Sequence, residues 1–169
     1  MKNEFHLLEV KSVFRESNNT VEIGFIIPHS LTDQFKFNPG QYLTLKVPFN
    51  GKILRRAYSI CSSTHDKTIN VLVKRLEGGK ISNELNDNIK PGDKLEVLVP
   101  SGNFKIDLNP TTSGTYFLLG SGSGITPLIS MALSLLKEND LAKCHLIYGN
   151  RDQDNIIYKN KLDLSLIHI

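Results

Sequence analysis

The sequence predicts an antiparallel β-barrel or sandwich followed by the opening of an α/β domain. Three observations predict it. Up to about Asp107, short runs rich in β-branched and aromatic residues alternate with turn signals. After Asn109-Pro110 the pattern becomes strand, glycine-rich turn, helix, strand. A length of 169 residues, 40% of them hydrophobic, suits one packed domain or two small ones.

The strands are expected at residues 5–14, 21–27, 42–47, 55–61, 69–76 and 94–99. Asn18-Asn19, Asn38-Pro39-Gly40, Asn50-Gly51, His65-Asp66 and Pro91-Gly92-Asp93 separate them. In the fifth run Val71 and Val73 point one way and Leu72 the other, which predicts burial on much of both faces. A short helix is expected over 81–88. Thr115 to Leu119 then reads as a continuous apolar strand of a parallel sheet. Leu128, Met131, Ala132, Leu135 and Leu136 recur at helical spacing over 127–137, and 143–148 is a second apolar strand. This βαβ unit opens a nucleotide-binding α/β domain, with the boundary near 108–112 and domains at 1–109 and 110–169. Such a domain needs about four or five strands, so the second half is expected to be incomplete. Residues 164–169 carry no helical continuation and no cap, which suggests a truncation or a non-native tail.

Bulk properties exclude several functions. A net charge of +3, evenly spread, does not suggest nucleic acid. No run of about 18 apolar residues spans a membrane, and the start lacks a signal-peptide core. Two isolated cysteines and five histidines without ligand spacing predict neither a metal site nor a disulfide framework, and fit a cytoplasmic protein. No oligomeric interface is legible.

Four segments carry chemistry. Arg56, Tyr58 and Ser59 lie on one strand, where an arginine fork and an aromatic plate share a face. They suit a ligand with a flat ring and a diphosphate, although a surface Arg and a core Tyr would look the same. Val73 and Lys74 lead through Gly79 to a helix start at Lys80, Ile81 and Ser82, an anion site or simply a capped helix. Gly120, Gly122 and Gly124 precede Thr126 and Pro127, which read as N-cap and first helical residue. Ile125 stands where a third fingerprint glycine would fall, so this is not G-x-G-x-x-G. Arg151, at the end of the second parallel strand, replaces the acidic residue that would bind a ribose and can accept a 2′-phosphate; an ordinary surface arginine is the alternative.

Together and in this order, these segments resemble the ferredoxin–NADP⁺ reductase family. Arg56-Ala57-Tyr58-Ser59 is similar to its R-x-Y-S motif, and Pro39-Gly40-Gln41-Tyr42 to its P-G-Q-[YF] turn. Val73-Lys74-Arg75 with residues 79–83 resembles its diphosphate cradle. Residues 120–127 resemble its G-x-G-x-G-x-T-P loop, and Tyr148-Gly149-Asn150-Arg151 its [YF]-G-x-R strand end. Residues 146–161 look most like reductase components of multicomponent oxygenases, especially the phenylacetyl-CoA epoxidase type. The resemblance implies a Greek-key β-barrel holding FAD, NADPH or NADH as donor, and an iron–sulfur carrier or oxygenase component as acceptor. It places Tyr58 on the flavin ring, Ser59 near its reactive nitrogen, and Arg56 with the Ser82 helix end on the diphosphate. It places Gly122, Gly124 and Thr126 on the nicotinamide cofactor. The family's ferredoxin domain and late C-G-P motif are not in this sequence. A non-catalytic flavin-binding fragment and a flavin-free interaction barrel are the rival readings.

Overall fold

In a computed structural model, which describes residues 4–108 and 114–165, period-two alternation carries the first half into six antiparallel strands. They are β1 (Phe5–Ser17), β2 (Thr20–Ile26), β3 (Tyr42–Phe49), β4 (Lys52–Ser59), β5 (Ile69–Lys74) and β6 (Lys94–Ser101). Their order is β4-β3-β6-β1-β2-β5, and the Ile60–Val71 bridge joins the two outer strands into a barrel. Leu43, Leu45 and Val47 alternate inward on β3 and meet Leu8, Val10, Ile23, Phe25 and Val97 in one buried core. Asn50 and Gly51, both at positive φ, make the tight β3–β4 hairpin that the sequence signals.

Helix α1 (Lys80–Asn88) leans on β2, β3, β4 and β5 and sends Ile81 and Leu85 into the barrel core. The strand expected to run to 14 continues to Ser17, because its far end pairs with Thr20 across the Asn18-Asn19 turn.

In the second half, β7 (Thr115–Ser121) and β8 (Lys143–Gly149) pair in parallel, with α2 (Ile125–Glu138) connecting them. Leu118, Leu128 and Met131 form the core of this layer. The expectation that residues 115–119 are buried as in a parallel sheet is met on one face only. Phe117, Leu119 and Ile147 are 64%, 67% and 59% exposed, since α2 covers one side and no described element covers the other. A third helix, α3 (Lys159–Ser165), was not expected and takes in residues 164 and 165. Most of the expected boundary, at 109–112, and the last four residues lie outside the described residues.

Both faces of β5 are buried, as alternation suggested, for a reason that alternation could not supply. Val71 and Val73 enter the barrel core, while Leu72 packs against Ile125, Ile157 and Tyr158 of the second half.

Candidate functional site

The Ile60–Val71 bridge and the Cys61 N–H to Asn70 carbonyl bond are where β4 and β5 meet; beyond them the strands part, and α1 touches both. Tyr58 and Arg56 lie on β4 in the parted region, on one face of the strand, opposite Leu43 and Leu45 of β3. Tyr58 packs partly against the barrel core, and burial pushes its hydroxyl up to about 12. The Arg56 guanidinium is exposed and, among the described residues, donates to the neighbouring Arg55 carbonyl, at 2.8 Å. No carboxylate pairs with it among the described residues. Ser59 is half-buried, in register with Tyr42.

The β5–α1 turn works through its backbone. Val73 and Ile81 put their side chains into the core, so only their main-chain groups can face a ligand. The Ser82 hydroxyl folds back to accept from the Leu76 N–H at 3.3 Å. A Cβ on Gly79 would fall 2.3 Å from the Ser82 Oγ and 3.0 Å from the Leu76 carbonyl, so a larger residue would displace the Ser82 hydroxyl and crowd the turn. No side chain caps the first turn of α1 and no acid sits in it, so its N–H groups stay available to an anion. Lys74 and Lys80 add positive charge and have no salt-bridge partner among the described residues.

The glycine-rich turn after β7 separates into distinct roles. Gly120 lets α2 approach β7, since a Cβ there would lie 2.7 Å from Leu128 Cδ1. Gly122 adopts φ +49, and an added Cβ at Gly122 or Gly124 would meet only open space. The expected Thr126 N-cap is not what forms. The helix starts at Ile125 after Gly124, and the buried Thr126 hydroxyl donates to the Ser123 carbonyl at 2.8 Å. A 3₁₀ turn at Gly122–Gly124 moves the helix start back and leaves Thr126 inside the first turn. The Tyr148 hydroxyl, from the end of β8, donates to the Gly122 carbonyl at 2.8 Å. Arg151 is exposed beside Asp152. The Asp152 carboxyl sits below its ordinary range, chiefly through the Asn155 side chain, with Lys74 of the barrel adding a smaller pull.

Sequence reading missed the polar seam that joins the halves. The Ser130 hydroxyl donates to the Ser62 carbonyl at 2.7 Å, and the Thr64 N–H to Ser134 Oγ at 3.1 Å. Lys137 meets Asp66 at 2.6 Å and His65 meets Glu138 at 2.9 Å. Ser130 and Ser134 are fully buried one turn apart on α2, small enough for the loop to lie close. The signal available was two serines at i, i+4 among the apolar residues of α2, facing the Ser62-Ser63 pair that follows β4. This seam ties the end of β4, with Tyr58 and Ser59, to the helix that carries the glycine turn.

Residues 7–106 match the family model described as an oxidoreductase FAD-binding domain, and residues 118–165 match that of an oxidoreductase NAD-binding domain. The chain belongs to this family of FAD-binding oxidoreductase domains. It is 39% identical over 158 residues to a component of 1,2-phenylacetyl-CoA epoxidase from Escherichia coli, covering 94% of this chain and 44% of that one. It is 42% identical over 160 residues to the ferredoxin reductase component of 3-ketosteroid-9-alpha-monooxygenase from Rhodococcus rhodochrous, covering 92% and 44%. The chain therefore spans less than half the length of these relatives. Among solved structures it resembles phthalate dioxygenase reductase, with 29% identity, a TM-score of 0.78, and 94% of this chain on 47% of that one. No helix among the described residues is long and apolar enough to cross a membrane.

The residues present fit the flavin dinucleotide this family binds. An uncapped helix start, a turn kept tight by Gly79 and three cations without a carboxylate partner among the described residues suit a diphosphate. A half-buried tyrosine beside them suits a ring.

Proposed function

We propose that this chain is the cofactor-binding core of a reductase that takes electrons from NAD(P)H onto FAD and passes them singly to an iron–sulfur carrier or oxygenase partner. One observation carries the reading: the strand bearing Arg56, Tyr58 and Ser59 and the helix behind Gly120, Gly122 and Gly124 are fastened to each other through Ser62 and Ser130. A site for a flavin and a site for a nucleotide are thereby held across one seam, which proximity-driven hydride transfer requires. The names of the two curated relatives, a component of an epoxidase and a reductase component of a monooxygenase, support the acceptor class.

In this reading Tyr58 faces the flavin ring and Ser59 lies at its edge. Arg56, Lys74 and Lys80, with the backbone of Val73, Gly79, Ile81 and Ser82, hold the diphosphate. Gly122 and Gly124 leave room for the nucleotide, Thr126 shapes that turn through Ser123, and Arg151 favours NADPH by reaching a 2′-phosphate. FAD, when bound, supplies the acceptance of hydride and the release of single electrons; the protein orients and shields it. The domains divide at 109/110, and the free thiols of Cys61 and Cys144 favour a cytoplasmic setting. The exposed Phe117, Leu119 and Ile147 favour one alternative, a flavin-binding fragment without turnover.

The test is the visible spectrum of the FAD-reconstituted protein before and after NADPH. Bleaching of the flavin bands near ~450 nm, the hydride-transfer signature of the cofactor itself, is the expected result. Bands that persist would leave the fragment reading, and the absence of bound flavin would overturn both.

A further inference from the structure

Among the described residues Tyr158 is the largest fully buried side chain, yet its backbone sits at φ +64, a region a bulky L-residue rarely enters. Such a conformation persists only where surrounding contacts over-determine it. Its hydroxyl donates to Glu22 Oε2 of β2 at 2.7 Å, and Glu22 also accepts from Asn70 Nδ2 at 2.7 Å and faces Lys161 Nζ at 3.4 Å. The carboxylate is largely buried, and two of its three donors, Tyr158 and Lys161, come from the second half.

The contact continues in the other direction. The N–H of the preceding residue, Ile157, donates to the Tyr148 hydroxyl at 3.4 Å, and that hydroxyl donates to the Gly122 carbonyl at 2.8 Å. The same carbonyl accepts from the Ile125 N–H at the start of α2. Glu22, Tyr158, Ile157, Tyr148 and Gly122 thus form one unbroken line from the barrel wall to the glycine turn. Its barrel end adjoins Cys61, two residues after Ser59, and Cys61 shares the Tyr158 cluster.

We propose that Tyr158 and Tyr148 are positioning residues: a two-tyrosine strut, braced on Glu22, that sets the glycine turn at a fixed distance from the flavin strand. This rests on the reading above for its purpose, since the turn is there the nucleotide site. As geometry it stands without any ligand. The polar seam on α2 fixes the helix; the strut fixes the turn in front of it, where Gly122 and Gly124 have no side chains to hold them.

Amide hydrogen exchange of the ligand-free protein decides the matter. Losing one net hydrogen bond corresponds to about fivefold faster local opening. Tyr148→Phe is expected to speed exchange at Ile125 and Thr126 by about that factor. Tyr158→Phe, which keeps the ring in its cluster with Ile125 and removes only the hydroxyl that bonds Glu22, is expected to do the same, while Glu22→Gln, which keeps an acceptor, stays near wild type. Barrel amides on β3 remain unchanged in all three. Equal speeding of barrel and turn amides in Tyr158→Phe, or no change at Ile125 and Thr126, would overturn the strut. Because no flavin or nucleotide is present, its failure would leave FAD binding untouched, and a failure of FAD binding would show separately in the spectrum.

Discussion

Replacing Arg56 separates binding from folding. Its guanidinium is exposed and, among the described residues, has no acidic partner and makes one bond, to its neighbour's carbonyl. Arg56→Met should therefore change stability by no more than about 0.5 kcal/mol, the ordinary range for a surface substitution. A charge-assisted hydrogen bond to phosphate contributes about 1.5–3 kcal/mol, which corresponds to roughly 10- to 150-fold in affinity. Arg56→Lys keeps the charge but loses the two-pronged geometry, so its affinity should fall between the two. The assay is flavin fluorescence titration of each variant, with thermal unfolding of the flavin-free protein alongside. An FAD affinity within twofold of wild type for Arg56→Met would refute the assignment. So would a collapse of stability before any flavin is added, which would make Arg56 a structural residue.

Three further outcomes follow from the same geometry. Gly40→Ala should cost about 2–4 kcal/mol in urea unfolding, because φ is +100 and the new methyl would lie 2.4 Å from the Phe104 carbonyl; an unchanged midpoint would contradict this. Gly124→Ala should leave stability level or slightly raised, since its backbone is right-handed helical and its Cβ would meet open space. The same variant should weaken NADP⁺ binding, and unaltered affinity in calorimetry would remove Gly124 from the site. Burial holds the Tyr58 hydroxyl protonated up to about 12 in the folded chain, against 10.0 ordinarily. The unfolded chain therefore releases that proton first, and the associated stability is intact below about pH 10 and lost towards about pH 12. Denaturant unfolding across this window should fall less steeply for Tyr58→Phe; parallel slopes would refute the burial argument.

Much of this was legible in the sequence because local chemistry and tertiary role agreed. The Asn50-Gly51 hairpin, the alternation of β3 and the glycine turn ahead of α2 each carry their own signal. Other features depend on neighbours that no local pattern announces. Thr126 reads as a cap because Ser/Thr before Pro is a good start signal, but the 3₁₀ turn over Gly122–Gly124 displaces that start. Residues 115–119 read as buried on both faces because an apolar run does not reveal how many layers cover it. Tyr158 and Glu22 are 136 residues apart, and neither has a neighbour that hints at the other. The seam through Ser62, Ser130 and Ser134 is hidden for the same reason, since small polar residues in an apolar helix read as neutral.

The measurement closest to the central claim is a calorimetric titration of the flavin-free protein with FAD and, separately, with FMN. A barrel whose α1 start holds a diphosphate is expected to bind one FAD per chain and to bind FMN, which lacks that diphosphate and the adenosine, markedly more weakly. Equal affinity for the two, or no heat with either, would contradict the placement of the diphosphate at Gly79, Lys80 and Ser82.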